Sequence, residues 1–259
     1  MKIIVLIKQV PDTSEDRHLD SATGLLDRSS TEGVIDEVNE RGLEVALQYK
    51  DSHKGTEVVA LSMGPQGTSQ ALRKALSMGA DAAIHLLDVN LSGGDAAWTS
   101  KALSAALKTT AFDLVVAGNE STDGRGGAVP AMVAERLSLP LLGSISAVDI
   151  HSTSVTGQRE VESGTLSVRA SLPAVITVTE RSPEARFPNF KGMLTAKRKP
   201  VKTLSLADLS LDPSERSAAA RSVVVSVAAR PARQAGKKIF DSGTAGVELA
   251  EFLAAGRLL

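Results

Sequence analysis

A repeated pair of signals limits most tightly what this chain can become: a short, unbroken apolar run, then a longer stretch with helical spacing. Residues 3–7 (Ile-Ile-Val-Leu-Ile) form the first run, and residues 57–63, 82–87 and 112–118 repeat it. Runs this short, without polar alternation, belong to strands buried on both faces. Residues 39–50, the stretch between Thr68 and Gly79, the stretch from Asp95 to Ala106, and residues 130–137 carry the helical spacing. Asn39, Thr68 and Asp95 stand where N-caps are expected, and Gly79 where a left-handed stop is needed. The alternation predicts right-handed βαβ crossovers and a doubly wound, mostly parallel sheet with helices on both faces. After residue 140 the pattern changes. Residues 160–169 alternate about Ser163-Gly164 as a hairpin and 172–179 read as another strand, so an antiparallel extension of the sheet is expected. Residues 204–217 turn polar around Asp212-Pro213, 223–227 form a short apolar run, 230–238 are rich in Pro, Gly and charge, and 244–258 read as a helix. Two parts are therefore expected: an α/β domain over 1–203, and a linker with a C-terminal arm over 204–259. Such an arm either packs back or embraces another subunit.

Composition removes several function classes. Net charge is −1, with five Phe joined only by Tyr49 and Trp98, which offers neither a basic field nor a stacking platform for nucleic acid. Cysteine is absent, excluding disulfides, a thiolate nucleophile and cysteine-ligated iron–sulfur clusters. His18, His53, His85 and His151 are scattered without ligand spacing, so no metal site is expected. The first apolar run is far shorter than a signal-peptide core and no later run approaches a membrane span, so the expected location is cytoplasmic, without membrane insertion.

The turn after the fourth strand carries the binding signal. Residues 118–131 read Gly-Asn-Glu-Ser-Thr-Asp-Gly-Arg-Gly-Gly-Ala-Val-Pro-Ala. In an open parallel sheet, ligands bind beyond the carboxyl ends of the strands, where such turns meet helix N-termini. Gly124, Gly126 and Gly127 let backbone N–H groups approach an anion, and the helix start and Arg125 add positive charge. Asp123 either accepts from a ribose hydroxyl or orients the turn. The Lys-Ser/Thr pair of a Walker A loop is missing, and a Gly-rich turn that merely lets helix and strand pack closely is an equally good reading of the spacing. Residues 6–8 and 63–65 supply apolar or small walls suited to an adenine ring. No nucleophile elbow, His–acid pair or differentiated carboxylate pair accompanies the turn, so a binding or carrier role is expected rather than catalysis.

Residues 186–200 set Phe187, Phe190, Met193 and Leu194 in a Pro- and Gly-marked loop ending in Lys197, Arg198 and Lys199. Large apolar residues on a loop either fold over their own core or meet a partner, and the basic run can steer an acidic one.

Taken in order, these segments resemble the beta subunit of electron transfer flavoproteins over nearly the whole chain. The motifs are Val5-Leu6-Ile7-Lys8-Gln9-Val10-Pro11-Asp12, Leu61-Ser62-Met63-Gly64-Pro65, Arg73-Lys74-Ala75-Leu76-Ser77-Met78-Gly79-Ala80-Asp81, Glu120-Ser121-Thr122-Asp123-Gly124-Arg125, Leu172-Pro173-Ala174-Val175-Ile176-Thr177-Val178 and Arg233-Gln234-Ala235-Gly236. The resemblance implies an adenine-nucleotide-hydrolase-like α/β fold and a heterodimer whose alpha subunit holds most of the FAD. It implies a structural AMP against Leu6, Asn39, Glu40, Arg41, Gly42, Met63, Asp123, Gly124, Arg125, Gly126, Gly127, Ala128, Val129 and Ala134. Residues 188–199 correspond to the family's docking loop for acyl-CoA and other flavin dehydrogenases, with Phe190 as the apolar anchor where some relatives carry Leu. Met193, Leu194 and the three cations complete that surface, and a membrane quinone oxidoreductase is the implied electron acceptor.

Three departures stand out. The acidic-glycine hairpin cluster is thinned to residues 160–164, residues 39–42 lack an aromatic that some relatives hold near the flavin, and Pro130 replaces a Gly. In electron-bifurcating relatives a second FAD takes the AMP site. The alternative reading is a free-standing adenine-nucleotide sensor or nucleotidyl-transfer protein of the same α/β class.

Overall fold

The computed structural model describes residues 1–28, 32–216, 222, 224–228, 230–233, 235–236 and 238–258; Ser217, Val223, Gln234 and Lys237 of the C-terminal expectations lie outside them. The first compact unit is Met1–Val225 and the second Ser226–Leu259.

The first unit opens with β1 (Lys2–Leu6), a short ribbon of β2 (Gln9–Pro11) and β3 (Gly33–Ile35), and helix α1 (Glu37–Ser52). Strand β4 (Glu57–Met63), α2 (Ser69–Met78), β5 (Ala82–Leu86), α3 (Ala96–Lys108), β6 (Leu114–Gly118) and α4 (Val129–Leu137) follow. Next come β7 (Leu141–Ile145), β8 (Ala147–Ile150), β9 (Ser154–Val161), β10 (Gly164–Ser171) and β11 (Ala174–Val178). Helix α5 (Phe190–Ala196), β12 (Val201–Leu204) and a short 3-10 turn at Ala207–Leu209 follow.

The seven-stranded sheet has the order β12-β5-β4-β1-β6-β11-β7, and each adjacent pair is parallel. Its apolar runs face both ways. Ile3 and Val5 join Leu43, Leu47, Leu72 and Leu76 on the α1/α2 side. Ile4 and Leu6 join Trp98, Leu103, Leu107 and Val133 on the α3/α4 side. This is the period-two division of a strand buried on both faces, each fully buried Leu or Ile contributing about 1.5–3 kcal/mol. The chain runs outward from β1 through β4 to β5, then returns to β6 on the other flank of β1. The switch point therefore lies between β1 and β6.

Several sequence expectations are corrected. The hairpin β9–β10 does not extend the large sheet: with β8 it forms a separate three-stranded antiparallel sheet. Strand β11 is a parallel member of the large sheet, flanked by β6 and β7. Helix α1 begins before Asn39, because the Asp36 carboxylate accepts from Val38 N–H and serves as the cap. Asn39 instead accepts the Lys8 N–H at 2.7 Å, turning its amide toward the end of β1. Thr68 occupies the cap position of α2, but its hydroxyl donates to Gln9. Asp95 caps α3 as expected. Residues 186–200 contain the helix α5 rather than loop alone. The boundary expected after residue 203 moves C-terminal, because Leu204 and Leu206 are buried in the α3-side core and the first unit runs on to Val225. The second unit holds α6 (Ala245–Ala255), whose Val247, Leu249 and Phe252 are exposed.

Asp36 is fully buried and also accepts from both the backbone N–H and the hydroxyl of Thr122. Asp36→Ala is expected to lower unfolding free energy by about 2 kcal/mol or more, from the lost cap and the stranded Thr122 donor. Urea denaturation checks this.

Candidate functional site

The carboxyl ends of β1, β4 and β6 open into a cleft of about 370 Å³. One wall is apolar: Leu6, Leu61 and Met63 from the strand ends, with Ala96 and Leu103 from α3. The opposite wall is the Gly-rich turn, where Gly124, Gly126, Gly127, Ala128 and Val129 line the cleft as the chain enters α4. The first N–H groups of a helix have no intrahelical partner, so this wall presents backbone donors and the positive end of the α4 dipole. Pro130, in the first turn, contributes no N–H there. Asn119 lines the floor, and its Oδ1 is buried without a hydrogen-bond partner among the described residues.

Lys8 organises the mouth. Its Nζ donates to Asp123 at 2.7 Å and to Ser121 Oγ at 3.0 Å. Arg28 reaches the other Asp123 oxygen at 2.7 Å, and Gly124 N–H donates to the first at 2.6 Å. The Asp123 side chain is only 1% exposed. Burial alone would push its pKa up, but hydrogen bonds from Lys8 and Ser121, with the neighbouring cations, hold the carboxyl well below the usual range. Two cations share this one carboxylate. Arg17 donates to Thr122 O from outside, so the 12–28 excursion braces the turn as well.

The second feature is the face of α5. Phe187 is 94% exposed and Phe190 73%, with Met193 and Leu194 exposed beside them. Asn189 caps the helix by accepting from Gly192 N–H at 2.7 Å. Lys197 and Arg198 are exposed, whereas Lys199 is not a free steering charge. Its Nζ donates to Leu76 O at 2.8 Å and Ala80 O at 2.6 Å around the C-terminus of α2. Burial, then the neighbouring Lys50, lowers its pKa.

The chain matches the electron transfer flavoprotein domain over residues 23–209. It is 46% identical over 263 residues to the electron transfer flavoprotein subunit beta of Mycobacterium tuberculosis, with 99% of each chain covered. The corresponding subunit of Mycobacterium leprae is 44% identical over 264 residues, again with 99% of each covered. The chain belongs to the beta-subunit family of electron transfer flavoproteins. It is also 33% identical over 214 residues to the caffeyl-CoA reductase-Etf complex subunit CarD of Acetobacterium woodii, covering 82% of this chain and 81% of that one.

Of the nucleotide-site residues expected for this beta subunit, Leu6, Asn39, Met63, Gly124, Gly126, Gly127, Ala128 and Val129 line the cleft. Asp123 stands behind the wall as its brace, with both oxygens engaged by the protein. Arg125 is exposed, with left-handed backbone (φ 48°). Glu40 pairs with Lys74, Arg41 donates to Ser182 O, Gly42 packs against Val116 of β6, and Ala134 is buried in the α3-side core. Ile7, Lys8 and Asn119 of the expected walls and turn also line the cleft, Gly64 and Pro65 do not, and the α3 residues Ala96 and Leu103 were not expected there. The ion-pairing role of Lys8 had one available signal, a lone cation ending an apolar strand.

A carboxyl whose pKa is depressed by folding stabilises the fold fully above its unfolded value of about 3.9, and that contribution is lost as pH falls through the depressed value. Asp123→Asn should therefore lower stability at pH 7 by about 2 kcal/mol and flatten the acid limb of the stability profile below about pH 4. Urea denaturation between pH 3 and 7 measures both.

Proposed function

We propose that this beta subunit pairs with an electron transfer flavoprotein alpha subunit in the cytoplasm. The pair carries electrons from acyl-CoA and other flavin dehydrogenases, including those of fatty acid oxidation, to a membrane quinone oxidoreductase of the respiratory chain. FAD lies at the subunit interface, held mainly by alpha, and supplies the electron exchange. The beta chain holds a structural AMP and the docking surface, and acts as a carrier rather than as an enzyme.

The cleft carries this reading, and its residues fit the nucleotide. Its volume lies within the roughly 300–1,000 Å³ typical of small-molecule sites. Leu6, Leu61 and Met63 offer the adenine an apolar face. The N–H groups entering α4 and the cation at Lys8 suit a phosphate. Asn119 Oδ1 offers an acceptor to an amine or hydroxyl of the ligand. Among the described residues no group of His, Cys, Asp and Glu could hold a metal ion, and no helix is long and apolar enough to cross a membrane. The exposed apolar residues of α6 supply a surface for the alpha subunit to cover.

Mass spectrometry of the nucleotides released from the co-purified heterodimer tests the assignment, with one FAD and one AMP expected. Two FADs would place a flavin in the cleft and point to a bifurcating complex. ATP without flavin would overturn the carrier reading in favour of a free-standing nucleotide protein. Docking has its own test: Phe190→Ala should leave heterodimer and flavin content intact while weakening dehydrogenase reduction about tenfold, the scale of a lost apolar anchor. Unchanged kinetics would remove α5 from the mechanism.

A further inference from the structure

Helix α5 is seven residues long, and isolated helices below about 12–15 residues are marginal in water. Its Asn189 cap covers one end only, so packing must supply what local propensity cannot. Three contacts do so. Before the helix, Arg186 forks onto Glu44 of α1, with Nε 2.7 Å from Oε2 and Nη2 3.0 Å from Oε1, and also reaches Asp51 at 2.8 Å. Its backbone N–H donates to the same Glu44 at 3.1 Å. Within the helix, Gly192 lies so close to α2 that an added Cβ would stand 2.2 Å from Ser77 O. After it, Lys199 donates to Leu76 O and Ala80 O, carbonyls at the end of α2 that lack helical partners. The two ends and the middle are thus fixed to a rigid layer, while Phe190, Met193 and Leu194 point away from it into solvent.

We infer that Arg186, Gly192 and Lys199 are positioning residues for dehydrogenase docking, holding α5 on α1 and α2 so that the partner meets a preformed apolar face. This rests on the docking reading above. A partner that had to order this segment would lose binding free energy to its backbone entropy, and preorganisation removes that loss. The clamp acts before the encounter. Lys197 and Arg198 stay free to steer toward an acidic partner surface.

The test uses the intact flavin-loaded heterodimer and an acyl-CoA dehydrogenase able to reduce the unmodified complex. Lys199→Met, and separately Gly192→Ala, should raise the KM for the flavoprotein about tenfold, while kcat and flavin content hold and Lys199→Arg restores most of the loss. Hydrogen exchange over residues 190–196 should accelerate in the same variants. In a Phe190→Ala background neither change should weaken docking further, because the clamp acts only through that face. Faster exchange with unchanged KM would overturn the inference, as would additivity with Phe190→Ala or a fall in flavin content with KM. Should Phe190→Ala alone leave KM unchanged, the docking reading itself fails, an outcome distinct from anything the clamp variants produce.

Discussion

The cleft end of this molecule depends on how Lys8 is held. Its N–H is taken by Asn39, its C=O accepts from Asp36 N–H at 3.0 Å, and its ammonium ion pairs with Asp123. One residue thereby joins the end of β1, the start of α1 and the Gly-rich turn. Asp36 closes the loop by capping α1 and accepting from Thr122. Asp36, Asn39 and the Asp123 carboxylate stand at the edge of a core that offers them little solvent, so each must find a protein partner. The knot sets the distance between the apolar wall and the amide wall, and hence the width of the cleft. Gly118 belongs to the same constraint: an added Cβ there would lie 2.5 Å from the Asn39 amide.

The sequence made the layered architecture legible because burial on both faces requires unbroken apolar runs, and helices between them require a different period. That physics is local and leaves a local trace. Pairing leaves none. The alternation over 160–169 announces a hairpin but cannot say which sheet receives it. Nor could spacing distinguish Asp36 from Asn39 as the cap of α1, since both residue types are competent and they lie three positions apart. The choice is made by Lys8, which claims the Asn39 side chain from another element. Asp123 illustrates the same limit: Lys8, its partner, is 115 positions away. A carboxylate in a Gly-rich turn is equally plausible as ligand acceptor and as brace until its neighbours are known.

The basic end of the α5 segment shows how similar residues acquire different work. Lys197, Arg198 and Lys199 form one uniform run in the sequence. In the fold, only the first two face solvent, where their field reaches about a Debye length and falls with salt. Lys199 turns back onto the carbonyls of α2 and contributes hydrogen bonds instead of reach. Helix α5 was equally hidden, since a short segment containing Gly and Thr has no strong helical preference of its own. Its existence is a tertiary fact, produced by the Asn189 cap and the surface beneath it.

Helix α1 connects the cleft and the α5 face. At sixteen residues it is about 24 Å long, with Asn39 in its first turn serving the cleft and Glu44 and Asp51 further along receiving Arg186. Glu44 is buried, and although burial opposes its ionisation, the hydrogen bonds from Arg186 hold its pKa below the ordinary range, so the pair stays charged throughout neutral pH. The cleft and helix α5 therefore share a strut. A shared strut transmits position rather than signal: coupling of two sites requires an element with two arrangements that each ligand weighs differently. A helix capped by a buried Asp36, packed closely on β6 at Gly42 and fixed by a forked ion pair is built to hold one arrangement. That suits a carrier, for which a reproducible geometry toward each partner matters more than a response to either.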